Sequence, residues 1–257
     1  MTRKVDFNCD LGESFGPYTI GDDEAMMRVI TSANVACGVH GGDPTVMERT
    51  VRLATQHGVG IGAHPGFPDL AGFGRREMRL SPDELRTLHL YQIGALWAFA
   101  RAQGTSLQHV KPHGALHNMA MSNEAWSRAI VAALASLDRS LILITFHGSV
   151  MERVAREAGL RVASEGYADR GYERDGSLVS RSRPGSLVTD PEIVARRVVR
   201  MVTEGVVETV DGGEIRLQPH TICFHGDTPG APRLVRAARE ALTRAAVELA
   251  PIGQWLS

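Results

Sequence analysis

The sequence predicts a (β/α) barrel of seven parallel strands, with residues 1–257 forming one domain. Three observations predict it. Seven strand-like segments each precede a helix-like one, without a linker or an internal repeat, and such alternation makes a parallel sheet. Most of these strands are apolar on one parity and polar or small on the other. Strands of an open doubly wound sheet are covered by helices on both faces and read as continuous apolar runs. Alternation suits a barrel instead, with apolar faces toward the helices and polar faces around the axis. Finally, almost every unit places an ionisable residue where its strand ends, which is the level of a barrel's active-site mouth.

Each element has its own warrant. The first strand, Val5 to Asp10, sets Val5, Phe7 and Cys9 against Asp6, Asn8 and Asp10. Leu11-Gly12-Glu13 turns, and Gly21-Asp22-Asp23-Glu24 suits a helix start, with acids near its positive end. The second strand, Ser32 to Cys37, runs on to His40; Asp43 and Pro44 then cap a helix that Gly58 ends. The third, Val59 to Ala63, meets His64 and a loop of Pro65, Gly66, Pro68, Asp69, Gly72 and Gly74 that closes on Arg75 and Arg76. Gly60 and Gly62 weaken this strand and predict a close approach to its backbone. Ser81-Pro-Asp-Glu84 is a capping box for a helix to Gln103. The fourth strand, Gln108 to Pro112, carries His109, Lys111 and His113 on one parity; Gly114 turns it toward a helix from Ser122 to Ser136. The fifth is Leu141 to Phe146, with a helix to Ala158. The sixth, Arg161 to Ser164, runs into Glu165, Asp169 and Arg170 and a polar excursion to Gly185. A helix capped by Thr189 or Asp190 with Pro191, a hairpin over 206–218 turning at Asp211-Gly-Gly213, a seventh strand Thr221 to Phe224 and a helix from Pro232 to Leu249 complete the chain.

Composition narrows the function. With 43% hydrophobic and 22% charged residues and a net charge of -1, the chain offers no nucleic-acid surface and no attraction to an anionic membrane. Its three cysteines form no disulfide framework, which predicts a reducing compartment. There is no apolar leader and no run of about 18 apolar residues, so a cytoplasmic protein is expected. Of the 28 basic residues only Lys4 and Lys111 are lysines.

The strand ends gather Asp10 and Glu13, His40, His64, Lys111 and His113, His147, Glu165 and Asp169, and His225 and Asp227. Burying such a set costs several kcal/mol unless the groups pair, bind metal or face a ligand. Asp10, His40, His64 and His113 are candidate ligands of a divalent metal. Without metal, Asp10 or Glu13 would serve as base, Lys111 would stabilise an oxyanion, the histidines would carry protons, and Arg75 or Arg76 would clamp a carboxylate. Lone strand-end histidines such as His147 are more often structural, and for one arginine of the pair a merely solvated place is about as common as a functional one. No Gly-Lys dipeptide and no G-x-S-x-G occurs, which removes a standard P-loop and a serine-hydrolase elbow.

Six blocks carry a family resemblance: Asp6-Phe-Asn-Cys-Asp-Leu-Gly-Glu13, Ala33-Asn-Val-Ala-Cys-Gly-Val-His40, Ile61 through Arg76, Val110-Lys-Pro-His-Gly-Ala-Leu116, Ala168-Asp-Arg170 with Tyr172, and His225-Gly-Asp-Thr-Pro-Gly-Ala231. Together they resemble the LamB/YcsF lactam-utilisation family, whose members are read as the A component of 5-oxoprolinase. The resemblance implies a barrel related to the glycoside hydrolase/deacetylase fold. It further implies ATP-dependent hydrolysis of 5-oxo-L-proline to L-glutamate together with two other subunits, ATP being a cosubstrate. Alternatives are a lactam-binding subunit that presents substrate to catalytic partners, and a stand-alone metal-dependent amidohydrolase or deacetylase. The expected catalytic residues are Asp10, Glu13, His64, Lys111 and His113. The expected substrate contacts are Asn8, His40, Arg75, Arg76, Asp169, Arg170, His225 and Asp227.

Overall fold

A computed structural model describes residues 3–226, 228 and 230–256. Strand β1 (Lys4–Leu11) precedes α1 (Asp23–Met27), β2 (Ser32–Ala36) precedes α2 (Pro44–His57), and β3 (Gly60–His64) precedes α3 (Pro82–Ala102). Next come β4 (Leu107–Val110), α4 (Gly114–Ala120), α5 (Glu124–Leu137), β5 (Ile142–Thr145), α6 (Val150–Glu157), β6 (Arg161–Tyr167) and α7 (Pro191–Thr203). An antiparallel hairpin of β7 (Val206–Glu208) and β8 (Glu214–Arg216) leads to β9 (Thr221–His225), α8 (Ala231–Arg244) and β10 (Glu248–Leu249).

The seven long parallel strands follow the order β1-β2-β3-β4-β5-β6-β9, and β9 pairs back onto β1, so the barrel closes as expected. The predicted caps form. Asp43 accepts from the Val46 N–H, Asp190 from the Glu192 and Ile193 N–H groups, and Ser81 and Glu84 satisfy each other's backbone donors. Outward residues such as Val5, Phe7, Val35, Leu143 and Phe224 are buried against the helices in one apolar shell.

The barrel interior is polar on the β1–β4 side. Asp6, Asn8, Ser32, Asn34 and His109 are fully buried and hydrogen-bonded to one another or to Thr31 and Thr221. The glycines of β3 are explained by their neighbour. Ile61 pairs with Leu107 while Gly62 pairs with His109, so β4 bulges at Gln108. A Cβ on Gly60 would lie 2.2 Å from Gln108 Nε2, and one on Gly62 would lie 2.0 Å from His109 Nε2. The close approach expected from the sequence is therefore made by side chains of β4.

Three departures have physical causes. At the end remote from the strand tips, the interior on the β5–β6 side is apolar: Ile142, Ile144 and Ala163 pack with Ile252, whose 3-10 turn plugs that end of the barrel. The Gly253 N–H donates to Gln108 Oε1 there (3.0 Å). Strand β6 continues three residues past Ser164 because Glu165 and Tyr167 turn inward and pair with each other, which a strand-end reading of polar residues misses. The last helix stops at Arg244 instead of Leu249; Ala246 adopts φ 56°, and the chain then lies parallel to β1 as β10. No glycine marks this stop, so the usual helix-end signal is missing. In addition, α4 replaces the simple turn expected after His113. Among the described residues no helix is long and apolar enough to cross a membrane.

Candidate active site

The strand tips open into a cavity of about 770 Å³, lined by Asp10, His64, Arg75, Lys111, His113, His117, Phe146, Tyr167, Arg170 and His225 among others. The gathering of Asp10, His64, Lys111 and His113, inferred from strand ends alone, is thus present in space. One wall comes from residues 175–181 of the excursion after β6. Arg170 holds that segment: its guanidinium donates to Ser186 O (3.0 Å) and Val179 O (2.6 Å).

Lys111 stands at the centre of the floor. Its ammonium lies 3.1 Å from Asp10 Oδ1, 2.8 Å from Glu165 Oε1, 3.3 Å from Asn8 Oδ1 and 3.2 Å from Cys223 Sγ. Tyr167 donates its hydroxyl to Glu165 Oε2 (2.6 Å). Burial works against a charge on Lys111, but Asp10 and Glu165 outweigh it and keep the ammonium well above the usual lysine range. Burial would likewise raise Asp10; the His64 ring and the Lys111 ammonium beside it reverse the effect and hold the carboxyl well below its usual range. Asp10 also accepts from Asn34 Nδ2 at 2.8 Å. A general base works best with a pKa near the operating pH. Asp10, expected as a base, is held as a charged carboxylate between Lys111 Nζ (3.1 Å) and His64 Nε2 (3.3 Å).

Beside this pair lies a nest of imidazoles. His64 Nδ1 donates to Lys111 O (2.6 Å), and His113 Nε2 donates to Phe73 O (2.8 Å). Their other nitrogens, His64 Nε2 and His113 Nδ1, face each other at 3.0 Å. His40 stacks on His113 with ring centroids 3.8 Å apart. Glu13 Oε1 lies 3.7 Å from His40 Nε2 and 3.8 Å from His113 Nδ1. One ligand atom from each of Glu13, His40, His64 and His113 falls within 4.8 Å of every other, a grouping able to hold a metal ion. Of the four candidates named from the sequence, three belong to this group, with Glu13 in the place of Asp10. Burial and the neighbouring His64 ring pull His113 down to about 3, so it is neutral near pH 7.

On the opposite wall Asp169 orients His225. Asp169 Oδ1 accepts from His225 Nδ1 (2.8 Å), while its Oδ2 accepts from the Thr228 hydroxyl and the His225 N–H. This fixes the tautomer of His225 and leaves Nε2 as its acceptor nitrogen.

The other expected contacts fall differently. Arg75 lines the cavity, with its guanidinium over the Phe73 ring. Arg76, expected to share the clamp, does not line it and pairs with Asp69, which also caps the 3-10 turn Leu70–Gly72. Its role is to close the loop. Asn8 and His40 are fully buried beneath the floor and do not line the cavity. His147 is largely exposed and pairs with Glu152. Asp227 lies outside the described residues. Tyr167, Phe146 and the 175–181 wall were not picked out from the sequence; the inward parity of Glu165 and Tyr167 was the signal for the first.

Residues 5–257 match the model of the LamB/YcsF family. The chain belongs to the LamB/YcsF family. Among its relatives in this family, the 5-oxoprolinase A component of Pyrococcus furiosus is 52% identical over 253 residues, covering 98% of this chain and 99% of that protein. A Thermus thermophilus protein of the same name is 54% identical over 246 residues, covering 96% and 98%. The crystal structure of a lactam utilization protein, also from Thermus thermophilus, superposes with a TM-score of 0.91 at 53% identity, over 96% of this chain and 99% of that one. A T48 deacetylase solved with substrate superposes at TM-score 0.51 and 13% identity, over 98% and 90%, and shares the barrel fold.

Proposed function

We propose that this protein is the A component of an ATP-dependent 5-oxoprolinase, which opens the lactam of 5-oxo-L-proline to give L-glutamate with ATP converted to ADP and phosphate. The observation that carries the reading is the buried Lys111 ammonium, set among Asp10, Glu165 and His64 on the floor of a cavity rimmed by Arg75. The names of the family relatives point the same way.

A lactam amide is a poor electrophile, so transfer of a phosphoryl group from ATP to its carbonyl oxygen would activate it. Water then adds to the carbonyl carbon. The C–N bond breaks, the ring nitrogen takes up a proton, and a second water releases phosphate from the acyl phosphate. In this scheme Lys111 stabilises charge on the carbonyl or phosphoryl oxygen. Arg75 pairs with the ring carboxylate. His225, oriented by Asp169, accepts a proton from water at Nε2 and returns it to the leaving nitrogen. Asp10 and Glu165 keep Lys111 charged and in place. The sequence has no P-loop, which leaves ATP to an unrelated site here or on the two partner subunits. That same observation favours a second reading, in which this chain binds the lactam and the partners perform the chemistry.

The test is glutamate formation from 5-oxoproline and ATP, by this chain alone and with its two partner subunits. Turnover by the assembled complex that drops at least a hundredfold in Lys111→Met and His225→Gln supports a catalytic role. Unchanged turnover with weakened lactam binding would favour a binding role. No 5-oxoproline-dependent ATP cleavage in the assembled complex would end the proposal.

A further inference from the structure

The imidazole nest holds an electrostatic problem that the hydrogen bonds do not solve. The carbonyls of Lys111 and Phe73 can only accept, so His64 Nδ1 and His113 Nε2 carry hydrogens. Neutral rings would then set two lone pairs, His64 Nε2 and His113 Nδ1, against each other at 3.0 Å. Oxygens of Asp10 and Glu13 add further negative density, 3.3 Å from His64 Nε2 and 3.8 Å from His113 Nδ1. A proton on His64 Nε2 would relieve that contact. It would do nothing for His40, which is fully buried and, among the described residues, has no hydrogen-bond partner at either ring nitrogen. An unsatisfied buried polar atom costs about 1–3 kcal/mol, so a neutral His40 with two is hard to explain as packing.

We propose that Glu13, His40, His64 and His113 hold one divalent transition-metal ion beside Lys111 at the cavity floor. The donor spacing fits. Bonds of about 2.0–2.1 Å in a tetrahedral shell set ligand atoms roughly 3.3 Å apart, and these four lie within 4.8 Å of one another before any ion draws them in. The outer contacts fit too. Metal-bound histidines commonly donate their second N–H to a backbone carbonyl, which fixes the ring and its tautomer; His64 and His113 both do so. Three imidazoles and one carboxylate select zinc, cobalt, manganese or iron over magnesium or calcium, which prefer all-oxygen shells. Such an ion supplies Lewis acidity toward a carbonyl oxygen. Its catalytic use rests on the function proposed above; its binding does not.

The experiment uses the full chain, stripped with a chelator and titrated with Zn²⁺ and Co²⁺ by calorimetry, with metal content measured by mass spectrometry. Cobalt also reports the site directly through visible ligand-field absorption. Expected are about one equivalent of Zn²⁺ per chain, a cobalt band of four- or five-coordinate intensity, and a rise in Tm on metal addition. His40→Asn and Glu13→Gln should each weaken metal binding by at least tenfold, while His117→Gln, whose ring meets the Thr145 hydroxyl instead, should not. Should either ligand variant fail to fold, the cobalt spectrum of the unmodified chain still decides. Featureless Co²⁺ absorption, metal content near zero and an unchanged Tm would overturn the proposal in favour of a proton shared by His64 and His113. A metal-free chain in an active complex would remove the metal site and leave the function standing. A metal-loaded chain in an inactive complex would do the reverse.

Discussion

Replacing Lys111 by Met tests whether the barrel floor is an electrostatic unit. Met keeps most of the apolar stem and removes the ammonium. In the native protein that ammonium sits 3.1 Å from Asp10 and 2.8 Å from Glu165. The variant leaves the buried Glu165 and the partly buried Asp10 carboxylates facing the same space, with Asn34, Tyr167 and His64 still beside them. Breaking a buried ion pair by removing one partner costs about 3–5 kcal/mol, a large part of the roughly 5–15 kcal/mol that holds a typical domain together. Lys111→Met is therefore expected to lower the urea midpoint at pH 7 by that amount of stability, followed by far-ultraviolet circular dichroism. Adding Glu165→Gln to Lys111→Met should recover part of the loss, because one uncompensated charge is gone. In the native background Glu165→Gln should cost less than Lys111→Met, since Asp10 still balances the lysine. A loss below about 1 kcal/mol for Lys111→Met, or a double variant less stable than the single, would refute this account of the floor.

Three more outcomes follow from the geometry. Burial pushes the Asp6 carboxyl up to about 6 despite hydroxyls from Ser32, Thr221 and Thr31; protonation is therefore favoured in the fold, and the stabilisation it gives is complete below the unfolded value of about 3.9 and lost as pH rises through 6. The loss is about 3 kcal/mol at 1.36 kcal/mol per unit, so Asp6→Asn should gain on the native protein by roughly that much between pH 4 and pH 7; parallel stability curves would contradict the assignment. Arg75→Ala should raise KM for the lactam by roughly 10- to 150-fold, matching about 1.5–3 kcal/mol for a charged hydrogen bond, while Arg76→Ala leaves KM unchanged; equal effects in steady-state kinetics would show that both arginines reach the substrate. Gly62→Ala would drive a methyl to within 2.0 Å of His109 Nε2 and break its bond to Asn34, costing about 1–3 kcal/mol by thermal melting; an unchanged Tm would mean that the bulge at Gln108 is free to move.

The sequence by itself determined the repeating strand–helix order, the helix caps, the inward parity of Asp6, Asn8, Asn34 and His109, and the strand-tip positions of Asp10, His64, Lys111 and His113. These follow from local rules: side chains alternate along a strand, and Asp, Ser, Pro and Gly punctuate helices over a few residues. Tertiary structure decided which tip faces which. Arg75 and Arg76 are neighbours in sequence, yet one borders the cavity and the other pairs with Asp69, because the loop's path separates them. Glu13 joins the histidines while Asp10 turns to Lys111. The two acids are three positions apart on one segment, and only the curvature of a closed barrel determines which partners each one meets. The same holds for Ile252, far from β5 in sequence, which closes the other end of the axis. Contacts between distant segments depend on closure and register, and no local pattern of residues encodes them.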